Sequence, residues 1–400
     1  MKYLKSLVFS VIIILSFSCK KENTDLPTGD VPSDTFPAIE AAFGSNIDLL
    51  NLENYSDQSL PAYIQKSNGD QNPITDLKAT LGRVLFYDVQ LSTDNTISCS
   101  SCHKQLFAFG DDAIASQGVN GETARHSMRL VNARFSVEDK FFWDERAASL
   151  EIQTTMPIQD HNEMGFSDEN GDPDLDSLFR KLEAVAYYNE LFHFIYGDEG
   201  ISESRVQESI AQFIRSIQSF DSKFDDGRAM ANNNGAPFQN FSIDENAGKR
   251  LFLTAPVFNN AGVRTDGGAG CAGCHQAPEF DIRPNTGNNG IIGNISGPGA
   301  PDLTVTRSPS LRDIIGSNGE LNGGLMHTAQ FSNLRGVINH YDSILVPMNG
   351  NPNLDPVLRP GGNLQRLRMT NEEKGQLEDF LRTLSGSNMY TDPRWSDPFL

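Results

Sequence analysis

The feature that most constrains this chain is a five-residue pattern that occurs twice, as Cys99-Ser100-Ser101-Cys102-His103 and as Cys271-Ala272-Gly273-Cys274-His275. With five cysteines and seven histidines in 400 residues, the chance of one such pattern arising anywhere is about 0.001, so two by accident are negligible. Two thiols one helical turn apart add to the two vinyl groups of one haem, and the adjacent imidazole coordinates the iron from the same side. Each motif therefore predicts a covalently attached c-type haem held by Cys99, Cys102 and His103, or by Cys271, Cys274 and His275. A zinc site would pair its two C-x-x-C units roughly 15 to 20 residues apart. Here the two units lie far apart in the chain. Structural disulfides would leave both histidines unexplained, and nothing around the motifs suggests the βαβ setting of a thioredoxin.

The fifth cysteine, Cys19, follows Lys2, Lys5 and an apolar stretch from Leu7 to Phe17 broken only by Ser10 and Ser16. That stretch is shorter than the roughly 20 residues of a spanning helix and reads as a signal peptide over residues 1–18. It resembles a bacterial lipoprotein signal, with Leu15 one position further upstream than the usual lipobox leucine. Cys19 is then the expected lipid anchor, and residues 19–45 the flexible tether behind it. The expected location is the periplasm, or an outer-membrane lipoprotein of a bacterium, with the membrane touched only through that lipid. A formal charge of -20 argues against nucleic acid, because counterion release needs clustered Lys and Arg. A basic protein partner fits the sign better.

Helical periodicity recurs along the rest of the chain. Leu77, Leu81, Val84 and Leu85 share one face, as do Val206, Ile210, Phe213, Ile214, Ile217 and Phe220. Thr370 with Glu373 forms a capping-box pattern ahead of Leu377, Phe380, Leu381 and Leu384. The expectation is a mainly α fold of two cytochrome c-like helical domains, each with one haem. Their boundaries are read as 46–230 for the N-terminal domain, 231–243 for an Asn/Gly-rich linker, and 244–400 for the C-terminal domain.

Around the motifs the sequence resembles the bacterial dihaem cytochrome c peroxidase and MauG family, over roughly Leu77 to Ser385. The resemblance rests on Leu81-Gly82-Arg83-Val84-Leu85-Phe86, Phe142-Trp143-Asp144-Glu145-Arg146, Ser149-Leu150-Glu151-Ile152-Gln153 and Glu163-Met164-Gly165 in the first half. In the second it rests on Ser308-Pro309-Ser310-Leu311-Arg312 and the segment from His327 to Tyr341. It implies that the first haem is the peroxide site and that the second feeds it electrons from a small donor such as a cytochrome c. Trp143 becomes the conduit between haems, Gln153 the distal glutamine and Glu163 the catalytic carboxylate. Heterolysis of peroxide needs a proton moved between its two oxygens, which a positioned carboxylate can do.

Two departures from the family pattern bear on chemistry. Many family peroxidases carry a histidine some fifteen residues after the first motif that blocks the iron; here Gly118 falls near that position, and no histidine occurs between His103 and His126. The first haem is expected to be open, with His126 and Met128 as the alternative ligands. His126 also replaces an asparagine of the family's calcium site, which leaves calcium open. At the second haem, Tyr341 stands where ordinary family peroxidases have a methionine and MauG has a tyrosine. Tyr341 is the expected far ligand, with Met326 as the alternative. His161, His193 and His340 are read as structural. The function expected is an exported peroxidase reducing hydrogen peroxide to water. The alternatives are MauG-like oxidation of residues in a partner protein, or a non-catalytic dihaem electron-transfer cytochrome with both irons six-coordinate.

Overall fold

The computed structural model describes residues 35–295, 300–345 and 350–400. The expected signal peptide and Cys19 lie outside the described residues, and the end of the expected tether is no tether: Pro37–Phe43 is helical, and its Ile39 and Phe43 are buried in the first core cluster. Helices form where apolar side chains recur on one face. In the first half these are α1 (Pro37–Phe43), α2 (Asp76–Tyr87), α3 (Cys99–Cys102), α4 (Leu150–Thr155), α5 (Leu175–Glu183), α6 (Ala186–Tyr196) and α7 (Glu203–Ser216). Then follow α8 (Lys223–Ala229), α9 (Ile243–Leu253), α10 (Leu334–Asp342) and α11 (Asn371–Arg382). At α2, α4, α5, α8, α9, α10 and α11 a capping side chain satisfies one of the first free N–H groups. The Thr370 capping box is present at the start of α11. α7 stops sooner than the periodicity suggests, because Ile217 turns to an extended conformation. Phe220 therefore lies beyond the helix, packed edge-on against Phe135.

Two helix pairs carry the fold. α2 crosses α7 at Gly82, where a Cβ would lie 1.9 Å from the Ser209 carbonyl oxygen. α9 crosses α11 at Gly248, where a Cβ would lie 1.8 Å from the Gln376 carbonyl oxygen. The crossing segments themselves match, Gly82-Arg83-Val84-Leu85-Phe86 against Gly248-Lys249-Arg250-Leu251-Phe252. A glycine at the crossing lets two backbones touch, and the Leu and Phe that follow fill the space beside it.

Each pair has its own apolar cluster. Leu81, Val84, Leu85, Phe86, Phe109, Phe192 and Phe213 belong to the first; Phe224, Phe252, Phe280, Leu377 and Phe380 belong to the second. Phe238 and Phe241, from the Asn/Gly-rich segment 231–243, are packed into the second cluster. Met389, Tyr390 and Trp395, from the C-terminal end, return to the first. Arg312 ties the parts together: fully buried, it donates to Asp225 Oδ2 at 2.7 Å and to the Pro278 carbonyl at 2.8 Å, while Tyr63 donates to Asp225 Oδ1 at 2.8 Å.

Strand is scarce. β1 (Pro256–Phe258) pairs antiparallel with β2 (Arg264–Gly267), and β3 (His275–Gln276) with β4 (Asp281–Ile282). These ladders are too short to show alternation in sequence, so periodicity does not reveal them. Among the described residues no helix is long and apolar enough to cross a membrane.

Candidate active site

The first motif is a single helical turn with its own cap. Ser98 precedes α3, and its N–H donates to Ser101 Oγ at 3.0 Å. The His103 N–H reaches back to the Cys99 carbonyl at 2.9 Å, which sets the two thiols and the imidazole one turn apart. The chain then bends through left-handed residues Ala108 and Phe109, bringing the Phe109 carbonyl 3.0 Å from His103 Nδ1. An N–H on Nδ1 leaves Nε2 as the ring's free lone pair, the arrangement a metal-binding histidine uses. Burial holds this imidazole below its ordinary pKa and hence neutral, with the Phe109 carbonyl pulling the other way.

Beside the motif lies a cavity of about 810 Å³. Cys99, Cys102 and His103 line it together with Trp143, Gln153 and Glu163, so it gathers every first-half residue singled out from sequence. Asp281, Asp302, Arg307 and Ser310 of the second half close the remaining wall. This donor set fits a haem. Cys99 and Cys102 are unpaired thiols, and burial pushes them up to about 12 and about 11, so neither is a ready thiolate for a divalent metal. The cavity volume also falls in the range of cofactor sites.

Glu163 is a strongly perturbed acid in this wall. Burial, and then the neighbouring Asp160, push its carboxyl up to about 7, against a smaller opposing pull from Arg146. Its backbone is fixed by Gly118: Val119 N–H donates to the Glu163 carbonyl at 2.9 Å, and Asn120 N–H to that of Asn162 at 3.2 Å. A Cβ at residue 118 would lie 2.1 Å from the Asn162 oxygen and 2.7 Å from Glu163 Cα. No side chain fits there, and a histidine least of all. Gln153 enters the cavity from α4, whose start is capped by Ser149.

Trp143 joins the two halves of the chain. Its indole N–H donates to the His126 carbonyl at 2.8 Å, and its own carbonyl accepts from the Thr306 and Arg307 N–H groups at 2.9 and 3.0 Å. Its ring stands edge-on to His327, centroids 6.1 Å apart. His126 and Met128 both line the cavity, and His126 Nδ1 lies 2.9 Å from the Ala113 carbonyl, which anchors that ring on its far side.

The second motif is built differently. Cys271–Gly273 forms a tight 3₁₀ turn entered through left-handed Gly270, and His275 opens β3 opposite Ile282. Burial lowers the His275 imidazole to about 4 and raises the Cys271 and Cys274 thiols to about 12 and about 11. Tyr341, on α10, lies close enough to the motif that its phenol responds to Cys274 and Cys271; burial, the larger cause, pushes it well up. Asn289 lies by both expected ligand candidates: its amide donates to Met326 Sδ at 3.4 Å, and its side chain pulls the Tyr341 phenol back down against burial. His340 Nε2 sits 2.9 Å from the Asn289 carbonyl, and His161 Nδ1 lies 2.7 Å from Asp172 Oδ2. The His193 carbonyl accepts the N–H of Gly197, which closes α6.

Some site residues escaped the sequence reading. Arg125 donates to Asp302 Oδ2 at 2.8 Å, Asp144 Oδ2 at 2.7 Å and Thr304 Oγ1 at 2.8 Å, which staples the two halves beside Trp143. Asp281 and Arg307 face each other in the cavity wall at 3.6 Å. Arg125 and Arg129 flank His126 in one short run, and that density of arginine is the available signal.

Comparison with known proteins bears on this arrangement. A family model described as di-haem cytochrome c peroxidase matches residues 76–233. The methylamine utilization protein MauG of Methylophilus methylotrophus is 29% identical over 323 residues, covering 79% of this chain and 84% of that protein. The cytochrome c551 peroxidase of Nitrosomonas europaea is 27% identical over 247 residues, covering 59% and 65%. Among solved structures, a MauG-like protein associated with microbial copper homeostasis superposes with a TM-score of 0.64 at 26% identity, covering 86% of this chain and 99% of that one.

Proposed function

The chain belongs to the family of di-haem cytochrome c peroxidases and MauG proteins, and from that premise we propose an exported peroxidase that reduces hydrogen peroxide to water. It takes electrons from a small redox protein such as a cytochrome c. In this reading Cys99, Cys102 and His103 hold one c-type haem, and Cys271, Cys274 and His275 hold the other in a second helical domain. The haem irons, when bound, supply the binding position for peroxide and the electrons for its reduction. Export, with Cys19 as the lipid anchor, is part of the proposal.

The observation that carries it is the convergence of Trp143, Gln153 and Glu163 on the cavity that also holds Cys99, Cys102 and His103. The Glu163 carboxylate accepts a proton from one peroxide oxygen and returns it to the departing one, and a pKa near 7 suits both transfers. The Gln153 amide orients the oxygens by hydrogen bonding. Gly118 leaves the approach free of a blocking side chain. Trp143, bonded to both halves, keeps the two haem-binding regions in fixed relation.

MauG-like oxidation of residues in a partner protein is the second reading, favoured by Tyr341 beside Cys271 and Cys274. Electron paramagnetic resonance of the ferric protein before and after peroxide tests the proposal. The expected result is a high-spin signal that vanishes on addition, together with a loss of about 10²- to 10⁴-fold in peroxide turnover for Glu163→Gln. Two unchanging low-spin signals would overturn both enzymatic readings. Stoichiometric oxidation of a reduced cytochrome-type donor as peroxide is consumed separates the peroxidase from the partner-oxidising enzyme.

A further inference from the structure

Four arginines line the first cavity: Arg125, Arg129, Arg146 and Arg307. Three have carboxylate partners. Arg125 meets Asp144 and Asp302, Arg146 meets Asp144, and Arg307 meets Asp281. Arg129 is the exception. Among the described residues no carboxylate lies within ion-pair distance of it. One of its terminal nitrogens donates to the Ser310 carbonyl at 3.2 Å, and its Nε is sealed from solvent with no hydrogen-bond partner. Its stem packs tightly on Gly110, where a Cβ would lie 2.8 Å from Arg129 Cγ, so the head group cannot easily swing away.

Arg129 is half-buried, and a guanidinium partly withdrawn from water without a counter-charge is costly, because desolvation is offset only by an anion or a full set of acceptors. Tyr390 and Asp313, whose carboxyl burial pushes up to about 6, act on it electrostatically, neither within ion-pair distance. The cavity is where the missing anion can sit. A planar fork of N–H groups matches a carboxylate better than any other small anion except phosphate.

We propose that Arg129 binds a haem propionate in the first cavity, with the Ser310 carbonyl holding the guanidinium in place. This rests on the family-based assignment of a haem to that cavity. The same guanidinium also helps lower the His275 imidazole, so its charge is felt at the second motif as well. Losing it leaves a propionate unpaired. The oxidised haem then becomes favoured, and its potential acquires a dependence on the propionate's protonation.

The test uses the full chain with its haems. Pyridine haemochromogen analysis comes first, and a wild-type protein lacking two haems overturns the family-based reading and this proposal together. With two haems present, resonance Raman spectra of wild type and Arg129→Lys are compared at the propionate bending modes. A shift of one mode supports the proposal; identical modes overturn it while the assignment of the haem stands. Spectroelectrochemical titration of Arg129→Gln is the second readout. The expected result is a lowered potential for one haem that falls further as pH rises from 5 to 8, whereas wild-type potentials and wild-type pH dependence in that variant overturn the proposal. Should Arg129→Gln fail to accumulate, the Raman comparison with Arg129→Lys decides.

Discussion

The two C-x-x-C-H motifs share their cysteines and histidine and differ in what surrounds them. The first sits on a capped α-turn beside a cavity of about 810 Å³ whose wall carries Gln153 and a carboxyl raised to about 7. The second sits on a 3₁₀ turn leading into a two-residue strand, with the Tyr341 phenol at hand and its Asn289 partner touching Met326 as well. The same C-x-x-C-H motif has been given one setting with a titratable carboxyl in a cavity wall and another with a phenol close by. A haem's axial ligand, hydrogen bonding and burial set its reactivity. Local sequence determines attachment, and the distant residues determine use.

The comparison breaks most readily at Gly118. Gly118→Ala puts a Cβ against the Asn162 carbonyl and Glu163 Cα, so the carboxyl must move. A displacement near 1 Å costs about 10²-fold in turnover. Steady-state peroxide consumption checks this, with the spectrum of the second haem as the control that should not change. Unaltered turnover would detach Glu163 from the role given to it.

A smaller effect is the pH profile. Below about pH 7 the Glu163 carboxyl is protonated and cannot accept a proton, so turnover should rise with pH through that value and level off above it. On the acid side the slope approaches tenfold per unit, as for any single essential base. Glu163→Gln should flatten the profile. A wild-type profile without an inflection between pH 6 and 8 would remove the proton-transfer assignment.

The smallest expected change in turnover comes from the other side of the comparison. Tyr341→Phe should alter the spectrum attributable to the second haem and leave the high-spin signal of the first intact. An unchanged spectrum would exclude the phenol as a ligand and shift attention to Met326.

Much of the architecture was legible because it is local. α2, α7 and α11 follow from apolar periodicity and, for α11, from the Thr370–Glu373 capping box. The premature end of α7 at Ile217 was not, since nothing in the apolar pattern marks a backbone turning extended. The return of Met389, Tyr390 and Trp395 to the first cluster was equally hidden, because a long-range contact leaves no trace in the spacing of its own segment. The Gly82 and Gly248 crossings were written in matched pentapeptides, yet their meaning needed the partner helices.

At the site the division has the same cause. The sequence by itself determined that two haems can be attached, because two thiols and an imidazole within one turn are a complete local instruction. Motif resemblance, not spacing, pointed to Trp143, Gln153 and Glu163. Only the tertiary structure decided that these three face one cavity, that Gly118 lies too close to Glu163 to carry a side chain, and that Arg129 has no carboxylate within ion-pair distance among the described residues. Burial and electrostatic environment are properties of the assembled chain: a glutamate's pKa rises, and an arginine goes unpaired, only once residues far apart in sequence have excluded the water between them.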